Sequence, residues 1–334
     1  MSVLKLTRRP TIQDVAKAAG VSTATVSHAL TNRRPVDPAT RDRVLAAARD
    51  LGYVPDPAAQ RLRTGRPAAI ALLSSMPAAV AAGQSRLGFM MEIAAAAAEV
   101  ALQAGLAMVL VPPAESGPPR LDHLDVAGAI VIEPIANDPC IAHLVSRGLT
   151  VVAIGKADAP VPYVDLRSGV IAELMLDHLR EQGARRIALL LGQQPRPSYA
   201  ETLDVYTKST TDPIVIRADE QGGEAAGRTA CLRLLADHPD IDAICAPVDA
   251  LAVGAVQALH ESGRSIPDDV RVVTRYNGLR ARLCSPPLTA VDLDLDALAR
   301  QAVALMMRVL TGETGAALPE VPWPKLVVRA STLV

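Results

Sequence analysis

Short hydroxyl and methyl side chains, with one imidazole, are concentrated in the segment Ser22-Thr-Ala-Thr-Val-Ser-His28. In the major groove of B-DNA the base edges offer hydrogen-bonding groups and the thymine methyl, and small side chains let a helix backbone approach them closely. The residue types of this segment therefore indicate direct reading of a DNA sequence. On a helix that begins after Ser22, the side chains on or near the outer face are those of Thr23, Ala24, Thr25, Ser27 and His28.

Two short helices joined by a tight turn must hold these side chains. Thr11 can cap the first helix, and Asp14 follows three positions later, where the helix dipole favours a carboxylate. Gly20 can adopt the left-handed conformation that ends this helix, and Ser22 can cap the second. The apolar residues at helical spacing are Ile12, Val15, Ala16, Ala19, Val26, Ala29 and Leu30.

A third helix is predicted to start at Asp37-Pro38, with proline at its first position, and to be closed by Gly52. Three such helices form the minimal core of a helix-turn-helix unit. Small helices rich in Ser, Thr and Ala are also common in proteins that do not bind DNA, so a purely structural role stays open for this pattern alone. The apolar stripe of the third helix consists of Val44, Leu45, Ala48 and Leu51.

The segment that follows, residues 53–66, surrounds one apolar residue, Leu62, with arginines. It has too little apolar surface to form a stable helix alone. A helix that folds only against DNA explains this composition, with Arg61 and Arg63 near phosphates and Leu62 wedged between base pairs in the minor groove. The alternative is a charged linker. The preceding helix-turn-helix pattern favours the helix that folds against DNA.

The charge of the chain is distributed unevenly. Residues 1–66 carry 12 Lys and Arg against 5 Asp and Glu, a net charge of +7. The rest of the chain carries 22 basic and 30 acidic residues, a net charge of −8. A basic block at one end of an acidic body is typical of a protein that meets phosphate at that end. The alternative is an ordinary charged, solvated face.

Beyond residue 67, apolar strands alternate with helices rich in Ala and Leu. This alternation predicts an α/β fold with doubly wound parallel sheets. Two consecutive series predict two lobes with a cleft at the carboxyl ends of the strands. The predicted strands are Ile70–Ser74, Ala107–Val111, Gly128–Ile132, Val151–Ile154, Ile187–Leu191, Ile214–Arg217, Ala243–Ala246 and Val270–Thr274. The predicted helices are Glu92–Gln103, Cys140–Arg147, Leu166–Gln182, Gly223–Ala236 and Ala250–Ser262.

Several other classes of protein do not fit. The four cysteines are scattered and form no Cys-x-x-Cys pair, so we expect no disulfide, metal or cofactor. The motifs of phosphate-binding loops, zinc proteases and serine hydrolases are absent, so we expect no enzyme. The chain shows neither a signal peptide nor a membrane-length apolar stretch. We therefore expect a cytoplasmic protein rather than a solute-binding protein of transport.

The chain resembles the LacI/GalR family of bacterial transcription regulators over essentially its full length. The resemblance rests on Ile12-x-Asp-Val-Ala-x-x-Ala-Gly-Val-Ser-x-x-Thr-Val-Ser, followed by Gly52-Tyr53 and the segment Ala58–Gly65. The segment Ser22–His28 is particularly similar to the recognition helix of the purine-repressor members. The resemblance implies a homodimer on a palindromic double-stranded DNA operator, with repression as the default output.

Carried over by position, the resemblance places Thr23, Ala24 and His28 at base edges, Arg34 at a guanine, and Leu62 between base pairs at the centre of the palindrome. From the residues alone, Arg34 is expected at a phosphate. The full set of predicted DNA-binding residues is Thr11, Ser22, Thr23, Ala24, Thr25, Ser27, His28, Arg34, Tyr53, Ala58, Arg61, Leu62 and Arg63. The predicted domains are a helix-turn-helix at 1–56, a hinge helix and linker at 57–67, and a two-lobed effector-binding and dimerisation domain at 68–334.

The resemblance also implies a periplasmic-binding-protein-like body with an effector between its lobes, but the pocket positions depart from the family. Thr202 stands where sugar-binding members have arginine, and Val248-Asp249 replaces an Asn-Asp pair. The run 274–277 reads Thr-Arg-Tyr-Asn instead of Gly-aromatic-Asp-Asp. Among the expected positions, Phe89 and Asp249 keep the family's residues. Sugars need charged planar groups and an aromatic platform, which this set does not supply.

Two interpretations follow. Either the effector is a small molecule other than a typical sugar, or the body is only a dimerisation scaffold without effector response. The first is favoured because Arg196, Tyr199, Arg275 and Tyr276 can supply new polar contacts, although each can equally be an exposed loop side chain. The predicted effector-binding residues are Phe89, Tyr199, Thr202, Asp249 and Tyr276.

Overall fold

The computed structural model describes residues 10–31, 34–53, 69–81, 88–113, 121, 124–313 and 317–333. The chain forms two compact units, Met1–Pro67 and Ala68–Val334. In the described ranges, none of the helices has the length and apolarity that crossing a bilayer requires. The predicted hinge-helix residues Ala58, Arg61, Leu62 and Arg63 lie outside the described residues.

The first unit contains three helices, α1 Ile12–Ala19, α2 Thr23–Thr31 and α3 Pro38–Asp50. Helix α2 packs against both α1 and α3. Small and β-branched side chains fill the core, which lets short helices approach closely and exclude water. The helix-turn-helix prediction is therefore confirmed. The buried core residues are Val15, Ala16, Ala19, Val26, Ala29, Val44 and Ala48.

The ends of α1 and the start of α2 are fixed by local hydrogen bonds. The Asp14 carboxylate accepts hydrogen bonds of 2.7 Å from both the backbone N–H and the hydroxyl of Thr11. Gly20 has φ +66°, the left-handed conformation that ends α1. Ser22 Oγ accepts a 3.1 Å hydrogen bond from the backbone N–H of Thr25 and so caps α2.

Helix α3 begins at Pro38 and is closed by Gly52 as predicted, but Leu51 is more exposed than expected. The Asp37 carboxylate accepts a 3.0 Å hydrogen bond from the backbone N–H of Thr40, with proline at the first helical position. Leu51, which the sequence places on the apolar stripe, is 37% exposed. The helix stops at Asp50 and the chain turns at Gly52, where φ is +62°. Leu51 keeps helical dihedral angles and donates its backbone N–H to the Ala47 oxygen, but its side chain at the end of the last turn is not buried.

The second unit consists of two lobes, each built on one sheet. The strands of the first lobe are β1 Ala69–Ser74, β2 Ala107–Leu110, β3 Val126–Ile132, β4 Thr150–Ile154 and β5 Tyr163–Val164. Their order is β2-β1-β3-β4-β5, and all their pairings are parallel. Strand β1 is buried along its whole length, as expected for a parallel strand covered by helices on both faces.

The strands of the second lobe are β6 Ile187–Gly192, β7 Ile214–Ala218, β8 Ala243–Ala246, β9 Arg271–Thr274, β10 Thr289–Asp292 and β11 Lys325–Val327. Their order is β11-β10-β9-β8-β6-β7. Strand β11 pairs antiparallel with β10, and the other pairings are parallel. The predicted α/β class with doubly wound parallel sheets is confirmed.

The helices of this unit are α4 Ala78–Ala81, α5 Phe89–Gln103, α6 Pro139–Ser146, α7 Ser168–Glu181, α8 Pro197–Lys208, α9 Gly223–Asp237, α10 Asp249–Glu261, α11 Leu279–Leu283 and α12 Leu295–Thr311. Helix α12 follows a strand of the second lobe but packs on α5 and β4 of the first lobe. The order of the described elements thus makes the chain pass between the lobes three times, after β5, before α12 and before β11. These passages bring the carboxyl ends of both sheets face to face.

Candidate DNA interface and interlobe cleft

Helix α2 presents small side chains at the surface of the first unit. Thr23 and Ala24 are exposed, and Thr25 and His28 are half-buried. Ser22, just before the helix, is exposed, and its Oγ lies 2.9 Å from Thr25 Oγ1. The surface of this helix therefore offers hydroxyl groups, a methyl group and an imidazole, as the sequence predicts.

Ser27 does not belong to this outer face. Its side chain is only 8% exposed, which corrects the expectation that it lies on or near the surface. The reason is that α2 packs against two neighbouring helices instead of one. The buried face is therefore wider than a single apolar stripe and includes Ser27 beside Val26.

The other described residues of the predicted DNA interface lie at the ends of helices. Arg34 follows α2 and is exposed. Thr11 is half-buried, and its hydroxyl donates to Asp14 within the cap of α1. Tyr53 is half-buried and packs against the core of the three helices. Of these three side chains, Arg34 is the one most available to DNA.

Arg43 is a residue whose role the sequence did not reveal. Its Nε donates a 3.1 Å hydrogen bond to the backbone oxygen of Ala19, the last residue of α1. The carbonyls at a helix end have no partner within the helix, and arginine is a favourable donor to them. Arg43 on α3 therefore fixes the helix that precedes the turn.

The interlobe cleft contains a small cavity of about 30 Å³. Phe89 of α5 and Tyr276, which follows β9, meet there edge to face, with ring centroids 5.2 Å apart and planes at 88°. Asp249, at the start of α10, also lines the cavity. The structure thus brings three of the five predicted effector residues together, at the carboxyl ends where an α/β crevice forms.

The two remaining predicted effector residues lie elsewhere in the described cleft. Tyr199 is 2% exposed, and its hydroxyl donates a 3.2 Å hydrogen bond to the Glu220 carboxylate. Thr202 is also 2% exposed, and its hydroxyl donates to the backbone oxygen of Ser198 at 2.9 Å. Neither residue is among those that line the cavity around Phe89. Both hydroxyl groups already have acceptors within the protein.

A guanidinium group from the second lobe fills the space between the lobes. Arg196, just before α8, is 2% exposed. It donates to the backbone oxygens of Glu133, which follows β3, and of Ser75, which follows β1, the latter at 2.9 Å. Its Nε lies 3.6 Å from Glu220 Oε1. Arg196 therefore bridges the ends of two strands of the first lobe to its own lobe.

The Glu133 carboxylate makes the reciprocal contact from the first lobe. Its Oε1 lies 2.8 Å from Nη2 of Arg275, and its Oε2 accepts a 2.7 Å hydrogen bond from the hydroxyl of Ser198. Arg275 and Ser198 both belong to the second lobe. Arg275 is 6% exposed and Glu133 2%. A buried ion pair thus spans the cleft.

A third arginine contacts the first lobe at the rim. Arg280 of α11 donates to the backbone oxygens of Ala79 and Val80, at 2.5 and 3.0 Å. It also donates to Asp249 at 3.2 Å. Burial raises the pKa of Asp249 above its usual value, and the charge of Arg280 opposes that rise. Burial likewise raises the pKa of Tyr276, so its phenol is neutral.

A wider pocket of about 510 Å³ opens beside Arg196. It is formed by the segment after β1, by Pro112 and Pro113, by the start of α6, and by Gln194 and Gln221 of the second lobe. Its volume falls in the range of small-molecule sites. The deep cavity, in contrast, is large enough only for one or two water molecules.

Comparison with known proteins agrees with this architecture. Residues 11–56 match the family of bacterial regulatory proteins, lacI family, and residues 176–332 match a periplasmic binding protein-like domain. The HTH-type transcriptional regulator CelR of Thermobifida fusca is 30% identical over 97% of this chain and 98% of its own length. The chain belongs to the LacI family. The HTH-type transcriptional repressor PurR of Glaesserella parasuis is 26% identical over 96% of the chain and 98% of its own length.

Solved structures of LacI-family regulators share the fold. A transcriptional regulator CelR–cellobiose complex has a TM-score of 0.69 at 28% identity, covering 97% of this chain and all of that one. A lac repressor dimer bound to operator and the anti-inducer ONPF has a TM-score of 0.78 at 24% identity, covering 98% of this chain and all of that one. The relatives are DNA-binding transcriptional regulators and not enzymes, so the predictions of family and of a non-enzyme are confirmed.

The LacI-family body differs from the sequence-based expectation mainly in its cleft. Arg196, Tyr199, Arg275 and Tyr276 are all buried, which excludes the alternative that they are exposed loop side chains. Their buried acidic partners, Glu133 and Glu220, were not predicted. The available signal was weak. Each is a carboxylate close after an apolar strand, a pattern that also describes many solvated loop residues.

Proposed function

We propose that this LacI-family regulator represses transcription by binding a palindromic operator as a homodimer. The observation that supports it most directly is the surface of α2, where Thr23 and Ala24 are exposed on a helix held by a well-packed core. Relatives named as repressors include the ribose operon repressor of Halalkalibacterium halodurans, 29% identical over 96% of the chain and 97% of its own length. In this proposal residues 1–56 read DNA, 57–67 form the hinge, and 68–334 dimerise and bind an effector.

All the predicted DNA contacts except Ser27 have a role in this proposal. Thr23, Ala24 and His28 contact base edges, and Arg34 donates two hydrogen bonds to a guanine. Thr25 makes a further base contact on the same face, and Ser27 is left out because it is buried. Leu62 enters the minor groove at the centre of the palindrome. Phosphates are contacted by Thr11, Ser22, Tyr53, Ala58, Arg61 and Arg63.

A selection from random duplexes tests this function. The full-length protein is incubated with a randomised DNA pool at moderate salt, with and without cell extract to supply an effector, and bound duplexes are sequenced. We expect enrichment of one inverted repeat, bound by two chains per duplex. Enrichment of a single half-site by one chain would contradict the dimer, and the absence of any enriched sequence would contradict the proposed function.

We further propose that a small molecule bound between the lobes changes operator affinity. The pocket of about 510 Å³ beside Arg196 supports this proposal, as does the cellobiose in the CelR structure. The effector here is not a typical sugar. Thr202 donates to its own helix, and Tyr276 packs on Phe89. Neither is the charged planar partner that a sugar with many hydroxyl groups requires.

A metabolite screen by thermal shift tests effector binding. Sugars, phosphorylated sugars, nucleobases and organic acids are added to the purified chain, and each hit is tested for its effect on operator affinity. We expect at least one hit outside the simple sugars, because binding to the native state raises the melting temperature. If no compound shifts the melting temperature while operator binding is intact, the effector proposal is wrong.

A second candidate function is a ligand-independent regulator whose body serves only for dimerisation. The observation that favours it is the cleft itself, in which Arg196 and Arg275 already bind acceptors of the opposite lobe. A protein of this kind would bind its operator with the same affinity in buffer and in cell extract.

A further inference from the structure

We propose that the interlobe cleft closes without a ligand, because the chain's own arginines make the contacts across it. We call Arg196, Arg275, Glu133 and Glu220 the arginine lock. This inference concerns the regulation of the effector site in the proposed function. The closure itself is measured without DNA, so its failure and the failure of the proposed function are distinguishable.

The position of Arg196 is the first argument. In open α/β sheets, ligands bind outside the carboxyl ends of the strands. The Arg196 guanidinium occupies that place, where it donates to the backbone oxygens that follow β1 and β3. A bound ligand would normally supply the polar contacts between the lobes there. In this protein a side chain of the second lobe supplies them.

The charge balance of the lock is the second argument. Its two arginine and two glutamate side chains are between 0% and 7% exposed. An isolated charge buried to this extent is very unfavourable, whereas paired charges of equal number compensate each other. Glu133 also has φ +52°, a conformation that a residue other than glycine keeps only when its surroundings hold it. The charges of the lock therefore balance without an added ion, while Nε of both arginines has no hydrogen-bond acceptor among the described residues.

The packing of the two lobes is the third argument. A Cβ atom built on Gly223, at the start of α9, would lie 3.0 Å from Cβ of Ala79 in the opposite lobe. The backbone N–H of Ala136, in the first lobe, donates a 2.6 Å hydrogen bond to the backbone oxygen of Pro195 in the second. The lobes thus touch directly, and the deep cavity they enclose is about 30 Å³.

The direction of regulation follows from the size of that cavity. A metabolite larger than one or two water molecules cannot occupy it while the lobes are closed. A ligand shifts a conformational equilibrium only toward the state that it binds better. An effector that enters the deep cleft therefore opens the lobes, instead of closing them.

Hydrogen exchange of the full-length chain, without ligand or DNA, tests the lock. The Ala136 amide reports closure because its acceptor lies in the other lobe. The lock is removed by the pairs Glu133→Gln with Arg275→Gln, and Arg196→Gln with Glu220→Gln. Each pair leaves no unpaired charge, so both proteins are expected to fold. The matched control is Arg228→Gln with Glu261→Gln, an exposed pair within the second lobe.

We expect the Ala136 amide to be protected in the ligand-free wild type, to exchange at least about tenfold faster in both lock variants, and to be unchanged in the control. The radius of gyration from small-angle scattering is expected to increase in the lock variants only. Fast exchange at Ala136 in the wild type, or equal exchange in wild type and lock variants, would overturn the proposal. For an effector that enters the deep cavity rather than the pocket of about 510 Å³, we expect faster exchange at Ala136, and slower exchange would overturn the opening direction.

Discussion

Four charged side chains that are each unfavourable to bury alone are buried together in the cleft. Removing one partner of a buried ion pair typically costs about 3–5 kcal/mol, whereas replacing both by neutral groups is often tolerated. We therefore expect Arg196 and Arg275 to contribute less to the free energy of unfolding than to the selection of one arrangement of the lobes. The sequence suggests that Arg196 and Arg275 contact an effector. In the structure both contact acceptors of the protein itself instead.

Arg34→Ala is expected to relax base preference at one position of each half-site. Arg34 is exposed just after α2, and a bidentate contact with guanine contributes about 1–3 kcal/mol of discrimination. A selection on randomised operators measures the preference. Arg49→Ala is the control, since Arg49 is exposed and donates to the backbone oxygen of Leu45 on its own helix. An unchanged base preference in Arg34→Ala would rule out the guanine contact and favour the phosphate contact.

His178 is expected to make stability depend on pH. It is 6% exposed, with Nε2 at 2.8 Å from Thr332 Oγ1, and burial lowers its pKa from the usual 6.5. The unfolded chain therefore takes up the proton first as the pH falls. The contribution of His178 is complete above pH 6.5 and is lost below it.

Urea unfolding at about pH 7.5 and about pH 5.5 measures this effect. We expect the decrease in the free energy of unfolding on acidification to be smaller in His178→Gln than in the wild type. His260→Gln, at an exposed position on α10, is the control and should show the wild-type decrease. An equal decrease in His178→Gln and wild type would show that another group is responsible.

At the scale of elements, the two helices α9 and α10 pack through glycine. A Cβ atom on Gly254 would meet backbone atoms of Glu224 and Arg228 closer than 3.0 Å. One on Gly227 would meet the backbone of Leu251 at similarly short distances. At each of these contacts a glycine of one helix faces the backbone of the other helix, and this close packing fixes α10, which supplies Asp249 to the cleft.

Gly254→Ala is expected to lower the free energy of unfolding by about 1–3 kcal/mol, because the added methyl must push the two backbones apart. Denaturant unfolding measures the loss. Gly169→Ala is the control, since the nearest atom to a Cβ there is Cγ2 of Val205 at 3.8 Å and Gly169 lies within α7. That variant should be neutral or more stable, because alanine favours a helix over glycine. Equal losses in the two variants would contradict the packing argument.

Secondary structure was predictable from the sequence where an apolar pattern extends over enough residues. Eight of the strands were predicted within about two residues, because buried parallel strands form short apolar runs. Strands β5, β10 and β11 received no prediction. Strand β5 has only two residues and gives no pattern. Helix α12 received no prediction, although it carries a clear apolar face. Its return to the first lobe depends on contacts with α5 and β4, which are far away in the sequence.

At the scale of the whole molecule, the proposed function places two copies of the basic head, residues 1–66, on one DNA duplex. The head carries a net charge of +7 and the rest of the chain −8. The attraction of this basic head to phosphates predicts a non-specific affinity for DNA that falls as salt rises. Specific recognition in the proposed function depends in addition on both recognition helices and on the hinge residues.

Leu62→Ala is expected to weaken binding to the selected operator strongly while leaving binding to random duplex nearly intact. In the proposed function the leucine opens the central base step, and only the operator offers a favourable kink site there. Arg63→Ala is the matched comparison and should weaken both kinds of binding, because a phosphate contact carries no sequence information. Titration of labelled duplexes at fixed salt measures both. Equal losses for Leu62→Ala on operator and random DNA would exclude the wedge.

The sequence by itself determined the helix-turn-helix, its caps at Ser22 and Asp37, and the two-lobed α/β class. These features depend on residues near each other in the chain, where capping, spacing and apolar period act directly. Only the tertiary structure decided what fills the cleft. Glu133, Arg196 and Arg275 are distant in the sequence, and their charges compensate only because three passages between the lobes bring the strand ends together. The sequence does not show whether a carboxylate or a guanidinium is solvated or buried in an ion pair. Only its burial in the tertiary structure distinguishes these two cases.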